Sequence, residues 1–205
     1  MPQSKVNISN DSELLSFYNN GDFKNVILLA KKIIEKEHKN YNAYNFLGLA
    51  YRSIGENSMA EKVFLDIIRK DPRNSSLNAI YTNTANLFYE IGQIDKAFVF
   101  YKASLELDRA NIDASLGMGL ALSNTGKDNE AIDCYKIALQ RYPNNASLSY
   151  NLAQSLRKLE RYKEASEYYG NVDNRMAKSY KLECLYQSIS NKEDEEIFFS
   201  YLNNL

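Results

Sequence analysis

The chain predicts an all-α molecule, a solenoid of antiparallel helix pairs, and three observations carry that reading. Glycines recur at Gly21, Gly55, Gly92 and Gly126, spaced 34, 37 and 34 residues apart, a period in the range of stacked helical repeats. Small and aromatic residues keep register with them: Val26, Ala60, Ala97 and Ala131 follow, then Ala30, Phe64, Tyr101 and Tyr135, while Phe17, Tyr51, Phe88 and Leu122 precede. Only 8 Gly and 3 Pro occur in 205 residues, which favours long helices and short turns.

Each element follows from this frame. Asn10, with Glu13 three residues on, reads as the N-cap and capping-box partner of the first helix. That first pair departs from the frame, with Leu14 and Val26 where small residues are expected and His38 where a proline is expected. In the second pair Gly48 and Ala60 are small because the two helices cross closely there, and Gly55 supplies the turn. Asp71-Pro72 and Tyr142-Pro143 end second helices, since a residue before proline avoids the helical region. Ser75-Ser76-Leu77 is an insertion, read as one extra turn on the next helix. Ala85, Gly119 and Ala153 are the later counterparts of Gly48. Extending the frame by one period gives Leu156, Glu160, Ala165 and Tyr169. Gly170-Asn171-Val172-Asp173-Asn174 is rich in helix breakers and stops the fifth pair about one turn early. New helices then run over 175–188 and, after a turn opened by Asn191, over 193–202, the last with Glu193, Asp194, Glu195 and Glu196 where the helix dipole favours them.

This pattern resembles the tetratricopeptide repeat, a 34-residue helix–turn–helix unit. The unit 41–74 carries Tyr44, Leu47-Gly48, Tyr51, Gly55, Ala60, Phe64 and Pro72 at the family's signature positions, and 112–145 carries Gly119, Leu122, Gly126, Ala131, Tyr135, Ala138-Leu139 and Pro143. The resemblance implies repeats at 7–40, 41–74, 78–111, 112–145 and 146–175, after a tail over 1–6 and before a degenerate sixth pair over 176–205. It also implies a right-handed superhelix with the first helix of each pair, helix A, lining the concave side.

Composition removes several function classes. There are 25 basic and 26 acidic residues, net −1, so no basic footprint for nucleic acid or an anionic membrane is expected. One His and two Cys exclude a His/Cys metal site and a disulfide framework. The first ten residues have no apolar core for a signal peptide, and a reducing cytoplasmic setting is the default. Gly117-Met118-Gly119 lies inside a helix and Gly126-Lys127-Asp128 is a helix turn, so neither is a phosphate loop. Cys134 and Cys184 read as packing residues, His38 as a surface residue, and Glu164 and Glu167 as members of solvated ion-pair ladders. No catalytic residue, cofactor or metal is expected, and the chain is not read as an enzyme.

The expected function is a protein-interaction scaffold with a peptide or protein segment in the concave groove. By the family's positions, the groove residues are Asn45, Arg52, Asn83, Asn86, Tyr89, Asn124, Tyr150, Asn151, Gln154 and Arg157, with Thr82, Glu90 and Lys158 beside them. Amides both donate to and accept from an extended backbone. Asn83 and Asn151 match an asparagine row that holds peptide backbone in some members, while Phe46 and Gly117 interrupt it. The Lys, Arg and Asn set with which other members clamp a terminal carboxylate is not matched. Two rivals stand beside this reading. The segment 177–205 resembles, weakly, the close of repeat arrays joined to bacterial transferases and oxygenases, which implies a recognition or assembly module. The sequence stops at Leu205 soon after apolar Phe198, Phe199 and Leu202 with no polar capping helix, so the last pair is expected to cap itself by packing back or to be covered, by a further downstream domain or by a second copy in a homo-oligomer joined through those residues.

Overall fold

The computed structural model describes residues 10–190 and 192–204. The tail over 1–6, the start of the first repeat at residue 7, the Asn191 turn and Leu205 lie outside the described residues. Twelve α-helices and one 3₁₀ turn make up these residues, with no strand among them: α1 Asn10–Asn19, α2 Phe23–Lys36, α3 Tyr41–Ser53, α4 Asn57–Lys70, α5 Asn78–Glu90, α6 Ile94–Leu107, α7 Ile112–Asn124, α8 Asp128–Arg141, α9 Ala146–Lys158, α10 Tyr162–Tyr169, α11 Arg175–Gln187 and α12 Lys192–Leu202. They form two compact units that divide between Leu107 and Asp108. In the first, α1, α3 and α5 are A helices lying side by side, each packed on its own second helix or B helix, α2, α4 or α6. In the second, α7 and α9 are neighbouring A helices, and α11 packs on α10.

The repeating residues fix this arrangement. Phe64, Tyr101, Tyr135 and Tyr169 are fully buried, each reaching from a B helix onto its partner A helix. Gly48 and Gly119 are small for a definite reason: a Cβ on either would lie closer than 3 Å to the ring of Phe64 or Tyr135. Leu14 and Val26, the departures in the first pair, are themselves fully buried. Asparagine caps the A helices, its side chain accepting from the third amide of the helix: Asn40 from Ala43, Asn111 from Ala114, Asn145 from Leu148 and Asn174 from Ala177, at 2.7–2.9 Å. Each such cap is worth about 1 kcal/mol. Asn10, expected as a cap, is the first residue of α1 itself.

The first five A–B turns share one hydrogen-bond pattern. The residue after the turn donates back to an A-helix carbonyl five positions earlier, as from Glu56 to Tyr51, Lys127 to Leu122 and Arg161 to Leu156. This is a Schellman turn, which needs positive φ at its pivot. Gly21, Gly55, Gly92 and Gly126 supply it at 71°, 81°, 77° and 78°, but the fifth pivot is Glu160 at 58°. A side chain in this region costs about 1–2 kcal/mol, whereas glycine costs about 0.4–1 kcal/mol through the unfolded chain. Glu160→Gly should therefore stabilise the protein by about 0.5–1 kcal/mol and raise its Tm by about 2 °C in a thermal melt.

The insertion at 75–77 is a 3₁₀ turn leading directly into α5, capped by Asn74 and anchored by fully buried Leu77. The fifth pair differs more than the sequence suggested. Helix α10 has 8 residues against 14 in each of α2, α4, α6 and α8, so it loses six residues, not one turn. Asp194, buried at the start of α12, accepts from the Ser190 amide and hydroxyl and from Lys163 Nζ at 3.2 Å. These bonds, chiefly the one from the Ser190 side chain, hold its carboxyl below the usual range.

Candidate functional site

The A helices present polar faces, and the two units use theirs differently. In the first unit, Asn45 on α3 and Asn83 on α5 meet directly, with Asn83 Nδ2 donating to Asn45 Oδ1 at 2.7 Å. The Asn45 amide nitrogen and the Asn83 carbonyl oxygen, one donor and one acceptor, enter no other hydrogen bond among the described residues. One helical turn on, Asn86 Oδ1 accepts from the buried Tyr101 hydroxyl at 2.6 Å, so its orientation is set from behind the strip. Burial of Tyr101 pushes its hydroxyl well above the ordinary tyrosine range and keeps it a neutral donor. Tyr89 is half-buried on the same helix. Arg52 forms a bidentate pair with Glu90, one arm at 2.7 Å, and that pairing raises the Arg52 pKa. Thr82, expected beside this strip, is instead buried and bonded to the Ser104 hydroxyl at 2.8 Å.

A cleft of about 520 Å³ lies between α1 and α3, and it is lined on α3 by Asn42 and by Phe46, the residue after Asn45. Leu15 and Phe46 line it with Asp11, Asn19 and Asn42. Leu15 is 49% exposed, and Phe46 packs edge-on against Tyr18 at 5.9 Å between ring centroids. Asn42 donates to Asp11 across the cleft at 3.0 Å. An apolar notch beside paired amides can take a side chain while the amides take its backbone. The sequence reading passed over both apolar residues. Phe46 registered only as an interruption of the asparagine row, and Leu15 lies in the most divergent repeat.

In the second unit the side chains of the strip are half-buried or exposed and largely bonded within the unit. Tyr150 donates to the Met176 sulfur at 3.3 Å, accepts from Gln154 at 2.9 Å and packs edge-on against Tyr169. Asn151 donates to the Ser147 carbonyl of its own helix. Arg157 pairs with Glu183 at 3.1 Å and lies 4.6 Å from the centre of the Tyr180 ring. Lys158 reaches the Ser123 hydroxyl at 2.6 Å. The two cations expected to serve a ligand are thus both engaged within this unit. Asn124 stands exposed at the end of α7.

Other polar groups have structural duties. His38 is exposed, with Nδ1 against the Ile34 carbonyl at 3.0 Å. Cys134 and Cys184 are free thiols that burial pushes up to about 11, in Cys184 against the opposing charge of nearby Arg157. Glu164 pairs bidentately with Arg161 at 2.7 Å. Glu167, expected in the same ladder, has no ion pair among the described residues. Among those residues there is no cluster of three His, Cys, Asp or Glu suited to a metal, and no helix is long and apolar enough to cross a membrane.

Comparison with known proteins places these features in context. Profiles of the tetratricopeptide repeat match residues 43–76, 79–111 and 116–172. The peroxisomal targeting signal receptor of Candida albicans is 30% identical over 113 residues, 55% of this chain and 19% of that protein. A probable UDP-N-acetylglucosamine–peptide N-acetylglucosaminyltransferase of Arabidopsis thaliana, SPINDLY, is 36% identical over 62 residues, 30% of this chain and 7% of that one. The chain therefore spans less than a fifth of either relative. Among solved structures, Pseudomonas aeruginosa pilF aligns with a TM-score of 0.75 at 18% identity, covering 94% of this chain and 87% of its own. YrrB, described as having an unusual peptide-binding site, aligns with a TM-score of 0.60 at 17% identity over 87% of this chain and 88% of its own. At these identities the structural likeness is one of fold.

Proposed function

Because this chain belongs to the tetratricopeptide repeat family, we propose that it is a non-catalytic scaffold that binds a peptide or protein segment on the A-helix face of its first unit. The observation that carries the proposal is the juxtaposition of the Leu15–Phe46 notch with the Asn45–Asn83 amide pair. An extended segment would seat one apolar side chain in the notch and lay its backbone on the amides, with Asn86 and Tyr89 extending the contact. Arg52 acts by stiffening neighbouring A helices of this unit, and in the second unit Tyr150, Asn151, Gln154 and Asn124 form a polar surface of that unit's own, with Arg157 bonded beside them. The peptide-binding description of YrrB and the receptor name of the Candida relative support this class of ligand. Two free thiols suit a reducing compartment, the cytoplasm.

The test is photo-crosslinking in an extract of the native host. A photoreactive residue at Phe46 should capture a protein or peptide, and one at exposed Val99 on α6 should not. Equal yields from the two positions would contradict the site. The similarity to SPINDLY favours a second reading, an assembly or recognition module of a transferase, in which case the captured partner is a transferase. Exposed Phe199 and Leu202 on α12 favour a third, pairing of two chains through the last helix, which sedimentation across a concentration series resolves.

A further inference from the structure

The second unit holds another concave feature, a cleft of about 630 Å³ between α10, α11 and α12. Lys163, Ser166 and Glu167 of α10 form one wall of it. The floor is apolar, from Leu185 on α11 and Ile197 and Tyr201 on α12.

The charges around this floor are unequal in what they do. Lys163 is spent on Asp194 at 3.2 Å, and Lys181 lies 4.5 Å from the centre of the Tyr201 ring. Both cations of the cleft are thus held by groups of the chain itself. Glu167, Glu193 and Glu196 also line it, are exposed, and enter no ion pair among the described residues. The result is an apolar floor under a negative rim, distinct in position and charge from the amide face of the first unit.

We propose that this cleft docks a basic amphipathic helix of a partner protein. Its apolar side chains would cover Leu185, Ile197 and Tyr201, and its Lys or Arg residues would pair with Glu167, Glu193 and Glu196. A helix laid in a groove by one apolar face is a recurrent recognition mode, and complementary rim charge mainly sets which partner is accepted.

The experiment uses the full chain and two fluorescein-labelled 14-residue peptides, with leucines at helical spacing and every remaining position either Lys or Glu. Fluorescence anisotropy should show saturable binding of the Lys peptide and at least ten-fold weaker binding of the Glu peptide. Glu193→Lys with Glu196→Lys should weaken the Lys peptide at least ten-fold. Glu167→Lys on α10 should do so as well, which keeps the result readable if the first pair of changes loosens α12. Asn45→Ala with Asn83→Ala should leave the affinity unchanged. No binding of the Lys peptide, equal binding of both peptides, or unchanged affinity in the reversal variants would overturn the proposal. So would a concentration-dependent dimer that excludes the peptide, because a second copy would then occupy the cleft.

Discussion

Gly48→Ala destabilises the protein by about 1–3 kcal/mol, a large effect for one methyl group. The cause is local. The new Cβ would fall closer than 3 Å to the Phe64 ring, and that ring is fully buried, so it moves only by displacing its own neighbours. Phe64→Leu alone leaves a void and costs about 1–2 kcal/mol. Together the two changes cost less than their sum by about 1 kcal/mol, because the smaller side chain makes room for the methyl. Urea unfolding of the four proteins followed by circular dichroism gives this coupling, and strict additivity would show that the ring and the glycine do not oppose one another.

Leu15→Asp weakens binding of the captured segment at least ten-fold while leaving the fold intact. Leu15 is half exposed on α1, so an aspartate there remains solvated and the cost to stability is small. The ligand's apolar side chain would then enter a notch that carries a second carboxylate beside Asp11. Burying an apolar side chain of leucine or phenylalanine size contributes about 1.5–3 kcal/mol, and about 1.4 kcal/mol is a ten-fold change in Kd. Isothermal titration with the peptide identified by crosslinking measures it.

The frame of the fold is legible in the sequence because each of its constraints is local. Positive φ at Gly21, Gly55, Gly92 and Gly126, the ring positions and the stops at Pro72 and Pro143 keep one register, shifted only by the three-residue insertion at 75–77, and can be counted. Glu160 shows the same logic from the other side, since the frame places a glycine-type turn there and the backbone adopts it despite the side chain. The asparagine caps Asn40, Asn111, Asn145 and Asn174 are local too.

The candidate site is less legible because its properties come from neighbours far along the chain. Arg52 reads as a groove cation until Glu90, 38 residues on, is found against it, and Arg157 until Glu183 is. Thr82 reads as a groove residue until the Ser104 hydroxyl turns it inward. Leu15 and Phe46 lie on different helices, and the space between them is set by how α1 and α3 pack. The length of α10 is a similar case. The breaker cluster from Gly170 marks where the helix stops, but the cleft lined by α10, α11 and α12 depends on how those three helices pack.

The measurement that bears most directly on the A-helix face is the titration of one crosslinked peptide against three proteins: the parent chain, Leu15→Asp and Val99→Asp. Both substitutions put the same charge in place of an exposed apolar side chain, one in the notch on α1 and one on the B helix α6. At least a ten-fold loss for Leu15→Asp with parental affinity for Val99→Asp is the predicted result. Parental affinity for Leu15→Asp, or equal losses in both variants, would contradict the assignment of the peptide site to that face.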